Sequence, residues 1–397
     1  MIKGELAIFI SLIIMLACIF YLAKLNIRVL KLLFAAVPPL LFCYFLPSLL
    51  VEYHIIDIRE SDLNSTLGKI LLPFCIFYFT LGLPLKKLKS IGNKPIILFF
   101  AGAMGIIVGG PMALSLSHLF FPNDFNAESY KGLATIAGSW IGGTANQMAL
   151  NAIFLPTPNE LAKAVTVDVF FGETWLAMLL FIIPFQDRLN RYLKAEYEAS
   201  LIPSNLDEDL LVKKFTFNNL IYILGFGFAI TLLSNSAGLF LSKFIGISFL
   251  NSSFWTFLIC TSLGLVLGFS PLRKLFYAGA DVIATLFLYF IIASIGLKIS
   301  LSHLFSTPIL LFTGFIWISI HGLAIFVVGK WIKAPYHYMA IASQANVGGI
   351  ASASVIATAI SPALTSLGVI LALLGYAIGT YGGYISALLM QWVSQTY

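Results

Sequence analysis

Apolar residues in this chain come in long unbroken runs, not in the alternating pattern of half-buried strands. The runs fall at roughly 5–23, 32–51, 66–83, 96–120, 132–155, 164–185, 216–234, 252–270, 279–297, 308–329, 337–360 and 364–390. Each approaches the ~20 residues that carry a helix across a bilayer core of ~30 Å. In lipid every backbone polar group must be satisfied within the structure, so the runs predict helices. A membrane β-barrel would show alternating segments of about ten residues. One polar stretch, Gln186–Lys214, separates the sixth run from the seventh and looks partly helical. The predicted organisation is a first membrane half over 1–185, a charged cytoplasmic linker over 186–215 and a second membrane half over 216–397.

Composition sharpens this. The chain is 59% hydrophobic and only 10% charged, against about 25% charged for a soluble domain. The net charge of +6 reflects cytoplasmic loops and gives no argument for nucleic acid. The four Cys have neither metal-ligand spacing nor pairing logic. Lys3 before an apolar run imitates a secretion signal, but no small-residue cleavage site follows, so a retained first helix is expected.

Charge placement also bears on topology. If all twelve runs cross, the clusters Lys24/Arg28/Lys31 and Lys86/Lys87/Lys89/Lys94 oppose Arg188/Arg191/Lys194/Lys213/Lys214, Arg273/Lys274 and Lys330/Lys333. That conflicts with the positive-inside rule. If the fifth and eleventh runs re-enter on one side, all five clusters share a face, and they hold most of the 23 Lys and Arg. Both runs are rich in small and amide residues around a Gly-Gly pair, as broken backbone at membrane depth requires.

Placing Gly142-Gly143 on Gly348-Gly349 aligns small and polar positions over about twenty residues, with Asn146 on Ser352 and Ser139 on Ala345. Gly82 matches Gly296 upstream, and Gly172 matches Gly379 downstream. The expected fold is an all-α polytopic membrane protein of two inverted repeats. Each repeat has four spans, a Gly-Gly re-entrant hairpin or broken helix, and one span, with both termini outside. Paired interruptions in inverted repeats point to a transporter site.

The motifs GSWIGGTANQMAL (138–150), ASQANVGGIASASVIA (342–357) and LLGYAIGTYGGYISALL (373–389) resemble the YjcL-like family of bacterial membrane proteins. That family looks like a branch of the cation–proton antiporter/anion transporter superfamily. The resemblance implies inverted repeats, an elevator-like motion and transport, and names no substrate. Cell-wall-derived peptides or amino sugars are one expectation it carries, and a homodimer is another.

Ionisable residues inside a membrane are functional candidates. Asp168, Glu173 and Asp281 qualify as ion-coupling groups. Asp168 and Glu173, five residues apart, point about 140° from each other on a helix. Asp168 is expected about one turn deep, and Asp281 lies near enough to pair with Arg273 or Lys274. Expected solute contacts are Ser139, Gly142, Gly143, Thr144, Asn146, Gln147, Ser343, Gln344, Asn346, Gly348, Gly349 and Ser352, with Asn151 and Ser354 nearby. The bland reading of each is helix packing or an inter-helix bond of ~0.6 kcal/mol. His321 reads as a packed, hydrogen-bonded residue before it reads as a proton relay. Tyr376, Tyr381 and Tyr384 read as packing or as pathway lining.

No phosphate loop, nucleophile elbow or metal-ligand cluster is present in the sequence, so neither an enzyme nor a cofactor is expected. The leading expectation is Na⁺- or H⁺-coupled symport of a small polar or anionic organic solute in the cytoplasmic (inner) membrane. A monovalent cation–proton antiporter is the alternative.

Overall fold

A computed structural model describes the chain apart from residues 1, 37–38, 59–60, 62, 86–87, 89–90, 123–124, 126–127, 196–214, 248–249, 299–307 and 397. Most of the expected linker, with Lys213 and Lys214, lies outside the described residues, as do Lys86, Lys87 and Lys89.

Among the described residues the regular elements are helices, with one isolated bridge between Ile2 and Ile56. The first half holds α1 (Glu5–Lys24), α2 (Arg28–Ala36), α3 (Pro39–Glu52), α4 (Leu63–Leu81) and α5 (Asn93–Phe120). It continues with α6 (Tyr130–Gly142), α7 (Thr144–Phe154), α8 (Pro158–Ile182) and α9 (Gln186–Leu193). The second half holds α10 (Phe217–Ile245), α11 (Ser252–Leu267), α12 (Asp281–Gly296), α13 (Pro308–Trp331), α14 (Tyr336–Val347), α15 (Gly349–Ile360) and α16 (Thr365–Thr396). Among the described residues, seven helices are long and apolar enough to cross a membrane, and four shorter apolar ones accompany them.

Local chemistry sets several boundaries. Thr157 and Glu160 form a reciprocal capping box at the start of α8, with Pro158 at the first helical position, where its missing N–H costs nothing. Thr216 and Asn251 cap α10 and α11 through their side-chain oxygens. The expected single run at 32–51 is instead two helices, α2 and α3. Pro39 opens the second, as a residue without an N–H prefers.

The two Gly-Gly runs are each divided into a pair of helices. At Gly143, φ is 78°, which favours glycine. A methyl group on Gly138 would lie 2.8 Å from the Asn146 carbonyl oxygen and from Leu150. At 1.5 Å rise per residue, a straight helix could not bring 138 and 150 together, so α7 folds back along α6. At the second break Gly349 has φ 67°. There, Gly375 of α16 packs near Ala345, and Gly368 packs near Ala353. Moving back along α16 thus means moving forward from α14 into α15, so this pair runs on antiparallel to α16 across its break.

Helix α16 is the spine against which the first break is built. Methyl groups on Gly379 and Gly383 would lie 2.8 Å from the Gly142 Cα and 2.9 Å from the Gly138 nitrogen. Small residues let the two backbones touch, the usual basis of helix association in lipid. On the other side of α6, Trp140 packs against Trp317 of α13, whose indole donates to the Ile106 carbonyl of α5 at 2.8 Å.

Candidate functional site

The two breaks lie more than two hundred positions apart in sequence, and Tyr376 of α16 joins them. A methyl group on Gly143 would sit 2.8 Å from the Tyr376 Cε1, and one on Gly349 would sit 3.5 Å from its hydroxyl oxygen. Beside the ring opens a cavity of about 640 Å³. Thr144 lines it from the first break, and Gly348, Ile350 and Ala351 from the second. Asp281, Thr285 and Tyr289 of α12 line it as well. Phe79 of α4 closes one side, with its ring 4.9 Å from that of Tyr376.

Asp281 reaches this cavity through a local irregularity. The π-helical turn Phe276–Ala280 precedes α12 and contains Gly279 at φ 116°. Such turns re-aim the residues that follow them. Asp281 forms no ion pair with Arg273 or Lys274 among the described residues, the alternative its spacing had offered.

A second polar centre lies around Asp168. This residue sits mid-helix in α8 and is only 7% exposed, deeper than the single turn expected for it. Its Oδ2 accepts from the Ser139 hydroxyl at 2.8 Å and from the Gln147 amide at 3.1 Å. Ser139 stands four residues before Gly143 and Gln147 four after it, so the fold-back presents both to one carboxyl group. The Gln147 Oε1 is buried without a partner. Glu173 does not join this centre; it lies on the exposed side of α8, as the angular separation implied.

Seven residues beyond Asp168, two turns along the same face of α8, Trp175 enters a third cluster. Its indole N–H donates to the Ser343 hydroxyl at 2.8 Å. His321 is fully buried, with Nε2 2.9 Å from the same hydroxyl and Nδ1 3.0 Å from the Gly102 carbonyl. A carbonyl only accepts, so Nδ1 carries the hydrogen; Nε2 of the neutral ring then accepts from Ser343. His321 is thereby a buried residue hydrogen-bonded through both ring nitrogens. Nearby, Asn346 is 0% exposed and neither of its side-chain atoms has a partner; the Gln344 Oε1 is likewise buried and unpartnered.

The expected solute contacts therefore divide. Thr144 and Gly348 line the cavity, and Gly143 and Gly349 flank the Tyr376 ring beside it. Ser139 and Gln147 face Asp168 instead. Gly142 is packed against α16, and Asn146 is a latch. Its amide donates to the Gly142 and Tyr376 carbonyls, and its oxygen accepts from Thr380. Ser343 belongs to the His321 cluster. Ser352, next to Ala351, is partly buried and is not among the cavity-lining residues. Sequence reasoning missed Trp175, Thr285 and Tyr289. Of these only Trp175 carried a signal, its seven-residue spacing from Asp168.

The apolar spans and the buried polar centres between them define a helical, multi-pass membrane protein. The chain belongs to the family described as "Protein of unknown function (DUF819)", whose model matches residues 10–394. No curated protein matches the chain.

Proposed function

We propose that this protein is a secondary active transporter, a carrier and not an enzyme. It would move a small polar organic solute through the cavity beside Tyr376, coupled to Na⁺ or H⁺ at Asp168. The observation that carries this reading is the convergence of the two chain breaks, one from each half, on a single cavity. Broken helices at such a place free backbone N–H and C=O groups for a solute or an ion. Asp168 suits coupling because a carboxyl group inside a membrane is costly and is retained for ion or proton traffic. The hydroxyl and amide of Ser139 and Gln147 bear on the same site.

The inverted repeats, the re-entrant character of the first break and an elevator-like motion belong to this proposal. So do the likeness to the YjcL-like proteins and their superfamily, the inner-membrane location and a homodimer. Among the described residues the cavity lining holds no Lys or Arg, which supports the polar solute over the simple anion. A cation–proton antiporter is the second reading, supported by the enclosed carboxylate of Asp168 with its oxygen-bearing neighbours.

Reconstitution into liposomes decides between them. Solute accumulation that needs a Na⁺ or H⁺ gradient supports symport. Cation–proton exchange without solute supports the antiporter, and the absence of both fluxes sinks the transporter reading.

A further inference from the structure

The α12 side of the cavity has a definite chemistry. Asp281 stands there without an ion-pair partner among the described residues. Around it, among the described residues, the cavity is lined by Phe79, Phe276, Tyr277, Tyr289 and Tyr376, and by no Lys or Arg. Aromatic faces carry negative quadrupole density and attract cations, most strongly when desolvated. A carboxylate in a concave, low-dielectric wall focuses its field into the space it lines. The dipole of α12 accounts for an acidic residue at its first position. It does not account for the five aromatic residues that line the same cavity.

We infer that the cavity binds a protonated amine, with Asp281 as its counter-charge and the surrounding rings as its cage. This rests on the reading of the cavity as the solute site, and it narrows the solute to an ammonium-bearing or zwitterionic molecule. The lining from the breaks fits the zwitterion. Thr144 and Ile350 sit in the first turns of α7 and α15, whose N-cap residues Gly143 and Gly348 have no side chain to cap them, although the Tyr376 hydroxyl meets the Ile350 N–H. N–H groups left over at helix starts donate to a carboxylate or carbonyl oxygen. A molecule with its amine toward α12 and its oxygen toward the breaks would span the cavity.

The test reads the charge preference of the cavity directly and needs no knowledge of the solute. Thr285→Cys, and separately Thr365→Cys on another part of the wall, would be labelled in the full-length protein. The reagents are 2-aminoethyl methanethiosulfonate, a cation, and 2-sulfonatoethyl methanethiosulfonate, an anion. Rates would be followed by intact mass and normalised to those with free mercaptoethanol, with the otherwise unaltered chain as control. The expected result is a cation-over-anion preference on the order of tenfold that collapses toward unity when Asp281→Asn is added. Equal rates, or a faster anion, would overturn the inference. A preference that survives Asp281→Asn would overturn the role of Asp281. Failure of the transporter reading shows up elsewhere: a cavity with this preference in a protein that moves no solute refutes transport and leaves the amine site standing.

Discussion

The two chain breaks share a glycine pair and little else. The first is built into the protein. Most of α7 is buried, Gly142 touches α16 backbone to backbone, and the Asn146 side chain has its donor and acceptor occupied. The second is buried mainly on its first side, α14. Only Gly349, Ala353, Ile356 and Ala357 of α15 are buried, and just before the break Gln344 and Asn346 hold unpartnered polar atoms in the interior. A buried amide without partners costs free energy that a bound group can recover. The contrast is one of degree, because the first break too holds a buried, unpartnered oxygen, that of Gln147.

The strongest way to break this contrast is to crowd each break in turn. Gly379→Leu should force α16 off α6, costing 3 kcal/mol or more by an order-of-magnitude overpacking estimate, with loss of the monodisperse detergent-purified protein. Gly349→Ala should cost only ~1–3 kcal/mol, from the left-handed backbone, and leave the protein folded. Comparable losses at both glycines would erase the distinction between the breaks.

Asp168→Asn keeps an acceptor for Ser139 and Gln147 and removes the charge. It should leave thermal stability near that of the unaltered protein and abolish the dependence of flux on the ion gradient. Retained gradient dependence in liposomes would remove Asp168 from coupling.

A matched pair of amide deletions sharpens the comparison at smaller scale. Asn146→Ala strips partners from Thr380 and should cost ~1–3 kcal/mol. Asn346→Ala removes an unpaired buried amide and should be neutral or stabilising in a thermal-unfolding series. Destabilisation by Asn346→Ala equal to that of Asn146→Ala would show that its side chain is paired. The smallest effect is expected from Trp175→Phe, which deletes one inter-helix bond of ~0.6 kcal/mol and should lower the melting temperature only slightly.

Local features of this fold were legible in the sequence. The apolar runs announced the helices, and the division of the fifth and eleventh runs was visible because Gly142-Gly143 and Gly348-Gly349 interrupt otherwise apolar stretches. Pro38-Pro39 reads as a kink or a helix end, and the boundary between α2 and α3 falls there. The assembly of the site was not legible. Tyr376 touching Gly143, Thr380 bonding Asn146 and Asp281 lining one cavity with Thr144 are all long-range juxtapositions, and helical periodicity carries no record of partners. The uniform hydrophobicity of the helices makes this worse, because lipid-facing and protein-facing sides look alike. The list of polar residues near the breaks could be drawn up from the sequence. Its division among cavity, carboxylate and latch required the packing of α16.

The latch between Asn146 and Thr380 has a consequence for how the molecule is made. The two residues are separated by 234 positions, so α6 and α7 enter the membrane long before their main partner exists. At about 5–20 residues per second, the ribosome needs on the order of ten seconds or more to supply α16. Through that interval the glycine face of α6 and the amide of Asn146 must be sheltered by lipid, by the insertion machinery or by earlier helices. Maturation of the first half is therefore timed by synthesis of the second.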